Sequence, residues 1–122
     1  MYLVEVSEPE VVRGAQPDLA AVRAMGIRAV IVTAQAQPAP GDLPPCDFVS
    51  RFFAPGIGID EDPVTGSAHC YLAPFWAERL GKTDLVGYQA SARGGLVGCE
   101  WRGERVLLRG QAVTVLRGEL LA

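Results

Sequence analysis

The chain has 122 residues, of which 49% are apolar and 20% charged, a composition typical of a folded domain with one core and not of a disordered segment. The net charge of −3, with 11 lysines and arginines spread along the chain, excludes the basic surface of a nucleic-acid-binding protein and a polybasic membrane patch. No apolar run reaches the ~20 residues that span a bilayer. No signal-peptide pattern is visible, so we expect a cytoplasmic protein.

The first half of the chain predicts three strands and one surface helix. A helix is expected to open at Pro17-Asp18, since proline suits a first turn and Asp18 complements the helix dipole, and to end at Gly26. The segment 34–45 contains four prolines and a glycine and is interpreted as a loop. Alternating or continuous β-forming residues predict strands at 2–6, 29–33 and 47–53.

A second helix is predicted from Gly66 to Leu80, where Gly81 ends it. The helix is apolar on most faces, so we expect it to be buried with only its two ends reaching solvent. Pro74 lies inside the helix and is expected to kink it or split it in two.

The last third of the chain is typical of a β-meander. Arg102-Gly103 and Arg109-Gly110 are expected to form tight connections. The predicted strands are 85–91, 95–101, 105–109 and 111–117. Together the elements predict an α+β fold, in which a mostly antiparallel sheet curls round the central helix.

The three cysteines predict free thiols in a reducing compartment. Cys46, Cys70 and Cys99 have a spacing that fits no zinc motif, and the sequence has a single histidine, so we expect no bound metal. Cys70 and Cys99 lie in apolar segments and are interpreted as core residues.

The segment 61–69, with the sequence EDPVTGSAH, carries the strongest chemical signal. It places two carboxylates and two hydroxyls at a helix start, where exposed backbone N–H groups bind anions. Asp62 is either a site carboxylate or a helix cap. Ser67 is either a donor to a substrate carboxylate or a residue that satisfies its own backbone. Gly66 lets a ligand approach the backbone closely, with a simple cap and turn at Thr65 and Gly66 as the alternative.

Two further residues of the segment favour structural roles. Glu61 is expected to lie on the surface or in a salt bridge, since only one of two adjacent carboxylates points into a cleft. His69 is interpreted as a core or capping residue, although the pKa range of a histidine suits acid–base chemistry.

The motif resembles the signature of the PhzF-type isomerase family of phenazine biosynthesis, which has a diaminopimelate-epimerase-like fold. The similar residues are 51–55 (RFFAP) and 58–69 (GIDEDPVTGSAH). The resemblance extends over nearly the whole chain, including Arg93-Gly94-Gly95 and residues 110–113. It corresponds to the second of two similar domains, so we expect residues 1–122 to be one second-domain unit and the first domain to be absent.

The resemblance implies an isomerase or epimerase that moves a proton on a small carboxylate-bearing substrate without a cofactor. Asp62 and Ser67 match family catalytic positions, and Thr65, Gly66 and Ser67 would bind the substrate carboxylate. The family's catalytic glutamate and histidine belong to the first domain. The isolated half is therefore expected to be inactive or to need a partner, either a second copy in a homodimer or a separate first-half domain.

The alternative is a non-catalytic remnant, or a small-anion-binding domain of the same fold. In either case an unpaired half-domain is expected to expose apolar surface and to associate through it.

Overall fold

The computed structural model describes residues 1–36 and 42–121. Within these residues the chain forms six strands, three α-helices and one 3-10 turn. In chain order they are β1 (Tyr2–Glu5), α1 (Pro9–Arg13), α2 (Leu19–Ala24), β2 (Val30–Gln35), β3 (Phe48–Phe53), the 3-10 turn (Pro55–Ile57), α3 (Gly66–Leu80), β4 (Asp84–Gln89), β5 (Gly95–Arg102) and β6 (Arg105–Arg109).

The six strands form one sheet in the order β1-β2-β3-β4-β5-β6. The pairs β2/β3, β4/β5 and β5/β6 are antiparallel, whereas β1/β2 and β3/β4 are parallel. Each parallel pair is joined by a connection that contains helix, as a parallel crossover requires. A mixed, mainly antiparallel sheet with few helices confirms the predicted α+β class.

The core surrounds α3, and every strand of the sheet contributes to it. The helix buries one face, and the strands supply a ring of apolar side chains against that face. The strand residues of this cluster are Leu3, Ile31, Phe48, Phe52, Leu85, Val97, Cys99, Trp101 and Val106. Because residues from β1 to β6 meet in one cluster, the sheet wraps round α3 as predicted.

Trp76 is the largest fully buried side chain of this core. Its ring stacks on Phe48 with 6.2 Å between ring centroids. Its Nε1–H donates to Thr33 Oγ1 at 3.0 Å, and Thr33 Oγ1 donates to the carbonyl of Val49 at 2.7 Å. The buried indole therefore keeps a hydrogen-bond partner, which lets it remain in an apolar site.

A second, smaller cluster lies on the other face of the sheet. It joins Val12 of α1 to Ala34 and Val49, which alternate with the residues that face α3. The sequence analysis missed α1, because a five-residue helix has too few positions for a periodic apolar pattern. Pro9 in its first turn and Arg13 in its last are signals that could have indicated it.

The first six predicted strands are present, with ends shifted by at most two residues. The predicted loop 34–45 begins too early, since β2 continues to Gln35, and its residues 37–41 lie outside the described part of the chain. Gly103 forms the expected tight connection from β5 to β6 with φ +66°. The helix expected to open at Pro17-Asp18 begins at Leu19, because Asp18 is its N-cap, whose Oδ1 accepts from the N–H of Ala21 at 2.9 Å, and Pro17 lies before the cap.

The predicted strand 111–117 is wrong, and so is the turn expected before it at Arg109-Gly110. Residues 110–121 form no helix or strand and are exposed. A strand needs the N–H and C=O groups of a neighbouring strand. β1 and β6 are the edge strands of the sheet, and residues 110–121 pair with neither of them.

Two expectations for α3 also need correction. Of the two outcomes expected at Pro74, the split is wrong, since the helix runs unbroken from Gly66 to Leu80. The carbonyl that loses its donor there belongs to Cys70, which is exposed and can reach water. Exposed Cys70 and Tyr71 also show that the helix is open along one side and not only at its ends. Cys70 is therefore not a core residue, whereas Cys99 is, and burial raises the pKa of the Cys99 thiol to about 12.

Truncation of the core beneath α3 should be costly. We expect Leu72→Ala to lower the free energy of unfolding by about 2–5 kcal/mol, because Leu72 is fully buried and its removal leaves a cavity. The matched control is Leu120→Ala, the same truncation at a side chain that is 92% exposed, where we expect less than about 0.5 kcal/mol. Urea unfolding of both variants measures the difference, and equal losses would contradict the assigned core.

Candidate functional site

The start of α3 presents uncapped backbone N–H groups. Thr65 occupies the N-cap position with an extended backbone, φ −119° and ψ 106°, but its side chain does not cap the helix. Its hydroxyl donates instead to Asp62 Oδ2 at 2.5 Å. Gly66 and Ser67 follow as exposed residues, so first-turn N–H groups that lack an intrahelical partner can receive an anion.

Asp62 lies beside this helix start as a half-buried residue. Its backbone N–H donates to the carbonyl of Phe52 at 3.1 Å, which ties the segment to the end of β3. Its carboxylate accepts the hydroxyl of Thr65 and, among the described residues, no backbone N–H of α3. The structure thus places Asp62 and Thr65 together, and the alternative of Asp62 as a helix cap is wrong.

Gln89, the last residue of β4, is a site residue that the sequence analysis missed. It is fully buried, and its side-chain amide is bonded to the segment before α3. Oε1 accepts from the N–H of Thr65 at 2.7 Å, while Nε2 donates to the carbonyl of Asp62 at 2.7 Å and to Thr65 Oγ1 at 3.0 Å. The signal was present, since the period of two along β4 puts Gln89 on the same inward face as Leu85.

Ser91 fixes the same segment from the turn after β4. Its Oγ donates to the carbonyl of Pro63 at 2.8 Å and accepts from the N–H of Gly94 at 3.0 Å. The backbone on both sides of Asp62 and Pro63 is therefore attached to β3, β4 and the turn that follows β4.

His69 is a core residue, as interpreted from the sequence, and not an exposed acid or base. It is fully buried, and its Nδ1 lies 2.7 Å from the carbonyl of Thr65. A carbonyl only accepts, so Nδ1 carries the proton of the neutral ring. Nε2 is buried and has no partner among the described residues. Burial lowers the pKa of His69, against a smaller opposing effect of the bond to Thr65.

Glu61 is held away from the helix start in a salt bridge, one of the two roles expected for it. Arg51 donates to both of its carboxylate oxygens, at 2.7 and 2.9 Å. The same guanidinium donates to the carbonyls of Arg13 and Ala15 at 3.1 and 2.8 Å. This ion pair with two hydrogen bonds connects the segment before α3 to the residues at the end of α1 and just after it.

A cleft of about 810 Å³ opens beside the helix start. Its lining includes Gly66, Gly95, Leu108 and two arginines, Arg93 and Arg109. Arg109 is paired with Asp84 and Glu100, whereas Arg93 is exposed and forms no ion pair with any described residue. Of the four predicted site residues in the described chain, only Gly66 lines this cleft. Asp62, Thr65 and Ser67 are close to Gly66 in sequence but do not line it.

The described residues contain no group of three histidine, cysteine, aspartate or glutamate side chains that could hold a metal ion. In the same residues, no helix combines the length and the apolar character needed to cross a membrane.

Comparison with known proteins identifies the family. The model of the phenazine biosynthesis-like protein family (PhzC-PhzF) matches residues 1–118. An uncharacterized isomerase of Pseudomonas aeruginosa is 51% identical over 118 residues, which are 97% of this chain and 42% of the relative. An uncharacterized isomerase of Halalkalibacterium halodurans is 43% identical over 120 residues, or 98% of this chain and 43% of the relative. A human phenazine biosynthesis-like domain-containing protein is 44% identical over 79% of this chain and 33% of its own length.

Solved structures agree in fold. A phenazine biosynthesis PhzC/PhzF protein from Clostridium difficile superposes with a TM-score of 0.81 at 36% identity, over 98% of this chain and 44% of the other. A PhzF-family protein from Enterococcus faecalis gives a TM-score of 0.77 at 41% identity, over 87% and 38%. The chain thus spans less than half the length of these proteins.

The buried His69 should make stability depend on pH. Burial lowers the pKa in the folded state, so below the ordinary value of about 6.5 the unfolded chain binds a proton that the folded chain resists. We expect the free energy of unfolding to fall as pH decreases from 7.5 to 5.5, by at most about 1.4 kcal/mol per pH unit. Urea unfolding across this range measures the slope.

The control is His69→Gln, which removes the only histidine of the chain and leaves every carboxylate in place. Its slope between pH 7.5 and 5.5 should be smaller than that of the unaltered chain. An identical slope would contradict the buried neutral imidazole.

Proposed function

Since the chain belongs to the phenazine biosynthesis-like PhzC-PhzF family, we propose that it supplies one half of the active site of a cofactor-independent isomerase or epimerase. The substrate would be a small carboxylate-bearing molecule on which a proton is moved from one carbon to another. Residues 1–122 would act as a single second-domain unit. The family match and the isomerase names of two relatives support the reaction class.

One observation carries this proposal: the hydroxyl of Thr65 binds Asp62 and leaves the start of α3 uncapped. The free N–H groups at Gly66 and Ser67, together with the Ser67 hydroxyl, would bind the substrate carboxylate. Asp62 would then lie next to the bound substrate as a proton donor or acceptor. Arg93, exposed at the adjoining cleft, adds positive charge that favours an anionic substrate.

Moving a proton between two carbons requires a second acid or base besides Asp62. Among the described residues, His69 is buried and Glu61 is bound to Arg51, so neither is free for this role. The family resemblance implies that a glutamate of the first domain serves. We propose that a partner completes the site, either a second copy of this chain or a polypeptide that carries the first half.

The residues after β6 support a partner of this kind. Residues 111–117 are β-forming in sequence, and residues 111–121 are all exposed. Val113, Val115 and Leu116 are 84%, 90% and 85% exposed. Apolar exposure on this scale marks an interaction surface, and an unpaired extended segment can add to the edge of another sheet.

A second candidate function is a non-catalytic domain that binds a small anion at the same helix start. The observation that favours it is that Glu61 is bound to Arg51 and His69 is buried, so neither is available beside Asp62 as a second acid or base. Turnover distinguishes the two functions, because a binding domain would retain the anion site and catalyse no proton exchange.

The proposed reaction predicts that the chain, mixed with a first-half domain from a relative, incorporates solvent deuterium into a small unsaturated carboxylic acid. We expect Asp62→Asn to lower this exchange at least about 100-fold, because an amide cannot take up the proton. Deuterium incorporation followed by NMR measures the rate.

The matched control is Asp60→Asn, since Asp60 is exposed and only two residues away. Its exchange rate should stay within about 2-fold of the unaltered chain. A similar loss in both variants, or none in Asp62→Asn, would exclude Asp62 as the acid–base group. Binding of the acid without any exchange would favour the non-catalytic function.

Association should depend on the segment after β6. We expect the double variant Val113→Ser and Val115→Ser to weaken association at least about 10-fold, because two highly exposed apolar side chains are lost. The matched control is Val4→Ser on the edge strand β1, where the side chain is 44% exposed. Sedimentation equilibrium measures self-association, and titration with a first-half domain measures the other route.

A strict monomer at high concentration would exclude the second-copy route. Binding of a first-half domain that is unaffected by the double variant would exclude residues 113 and 115 from the interface.

A further inference from the structure

The geometry points to Gln89 as the positioning residue of the site: it orients the Thr65 hydroxyl so that one oxygen of Asp62 only accepts a hydrogen bond and the other carries the proton. The inference rests on the proposed function for its catalytic consequence, but the hydrogen-bond arrangement itself can be tested without activity. Nothing in the family match or in the relatives' names assigns a role to Gln89.

The orientation of the Gln89 amide follows from its partners. A carbonyl only accepts, so the atom 2.7 Å from the Asp62 carbonyl is the NH₂ group. The N–H of Thr65 only donates, so the atom 2.7 Å from it is the amide oxygen. Both hydrogens of Nε2 are then used, one on the Asp62 carbonyl and one on Thr65 Oγ1.

This orientation fixes the direction of the next bond. Thr65 Oγ1 receives a hydrogen from Gln89 at 3.0 Å, so its own hydrogen points to Asp62 Oδ2 at 2.5 Å. The donors thus run in one direction, from Gln89 through Thr65 to Asp62. Because Thr65 and Gln89 are both buried, water does not compete for these bonds and the direction is maintained.

The consequence lies at the carboxylate. With Oδ2 occupied as an acceptor, a proton taken from a substrate carbon goes to Oδ1, and the electron pair of the broken C–H bond stays on the substrate. The partner's acid delivers a proton to another carbon, and the proton on Oδ1 then passes to the resulting conjugate base, which restores both groups. Fixed roles for the two oxygens hold the reactive one in place, and a displacement of about 1 Å can cost on the order of 100-fold in rate.

The direct test is NMR on the unaltered 122-residue chain. We expect the two Gln89 side-chain N–H signals and the Thr65 hydroxyl signal to exchange with solvent at least about 100-fold more slowly than the side-chain amide of Gln16, which is exposed. Gln16 is a matched control within the same molecule. Equal exchange rates for Gln89 and Gln16 would overturn the proposal whether or not the chain is active.

The catalytic consequence is tested with Gln89→Glu, which keeps the acceptor for the Thr65 N–H and removes both donors. In the mixture with a first-half domain we expect kcat to fall about 10- to 100-fold while KM stays within about 2-fold, since the anion-binding N–H groups are untouched. Gln16→Glu, with the same change in charge at an exposed position, should leave both constants unchanged.

If Gln89→Glu fails to fold, Gln89→Met of similar length serves in its place, with the same expected fall in kcat. An unchanged kcat in a folded variant, or a rise in KM without a fall in kcat, would overturn the positioning role. If the unaltered mixture shows no exchange, the proposed function fails, and the NMR measurement alone decides the hydrogen-bond arrangement.

Discussion

Burial of one face of α3 against all six strands is the constraint on which the rest of the structure depends. A sheet of mixed direction has no closed core of its own, and here the larger of its two apolar clusters forms round this helix. Trp76 occupies the middle of the arrangement, stacked on Phe48 and bonded to Thr33. Because the axis of α3 is fixed in this way, the position of its first turn relative to β3 and β4 is fixed as well. The candidate site is therefore placed by the core and not by a flexible loop.

A second constraint acts at the entrance to the helix, where polar side chains replace apolar packing. Gln89, Ser91 and His69 each bond to a backbone or hydroxyl group of residues 62–65. A buried polar group is stable only with partners, so these bonds hold the segment and the side chains hold one another. The hydroxyl of Thr65 is drawn towards Asp62 by the same bonds, which leaves the start of α3 open. The same hydrogen bonds thus stabilise the segment before α3 and leave the first-turn N–H groups of α3 available to an anion.

The sequence predicted the helices and strands that carry strong local patterns, and it failed where a pattern needs a partner to form. The strands that pair within the chain follow from periodicity. The carboxylate of Asp18 indicated the start of α2, although as a first-turn residue and not as the N-cap that it is. The segment 111–117 has an equally good strand pattern and forms none, since it pairs with no strand of the described chain, not even with the edge strands β1 and β6. In the site, the motif indicated Asp62 and Thr65 directly. Gln89 escaped notice because its role arises from a contact 24 residues away in sequence.

That same unpaired segment connects the fold to the proposed function. Glu61 and His69 are not available as a second acid or base beside Asp62, and the segment after β6 exposes the apolar side chains of Val113, Val115 and Leu116. One partner would supply what the site and the segment both lack. The partner's sheet would accept the segment as an added strand, and the partner's acid or base would lie opposite Asp62. The energy available from burying these apolar side chains would then help to close the cleft. Closure would exclude water from Asp62 and from the uncapped turn of α3, where electrostatic interactions with a carboxylate strengthen as water leaves.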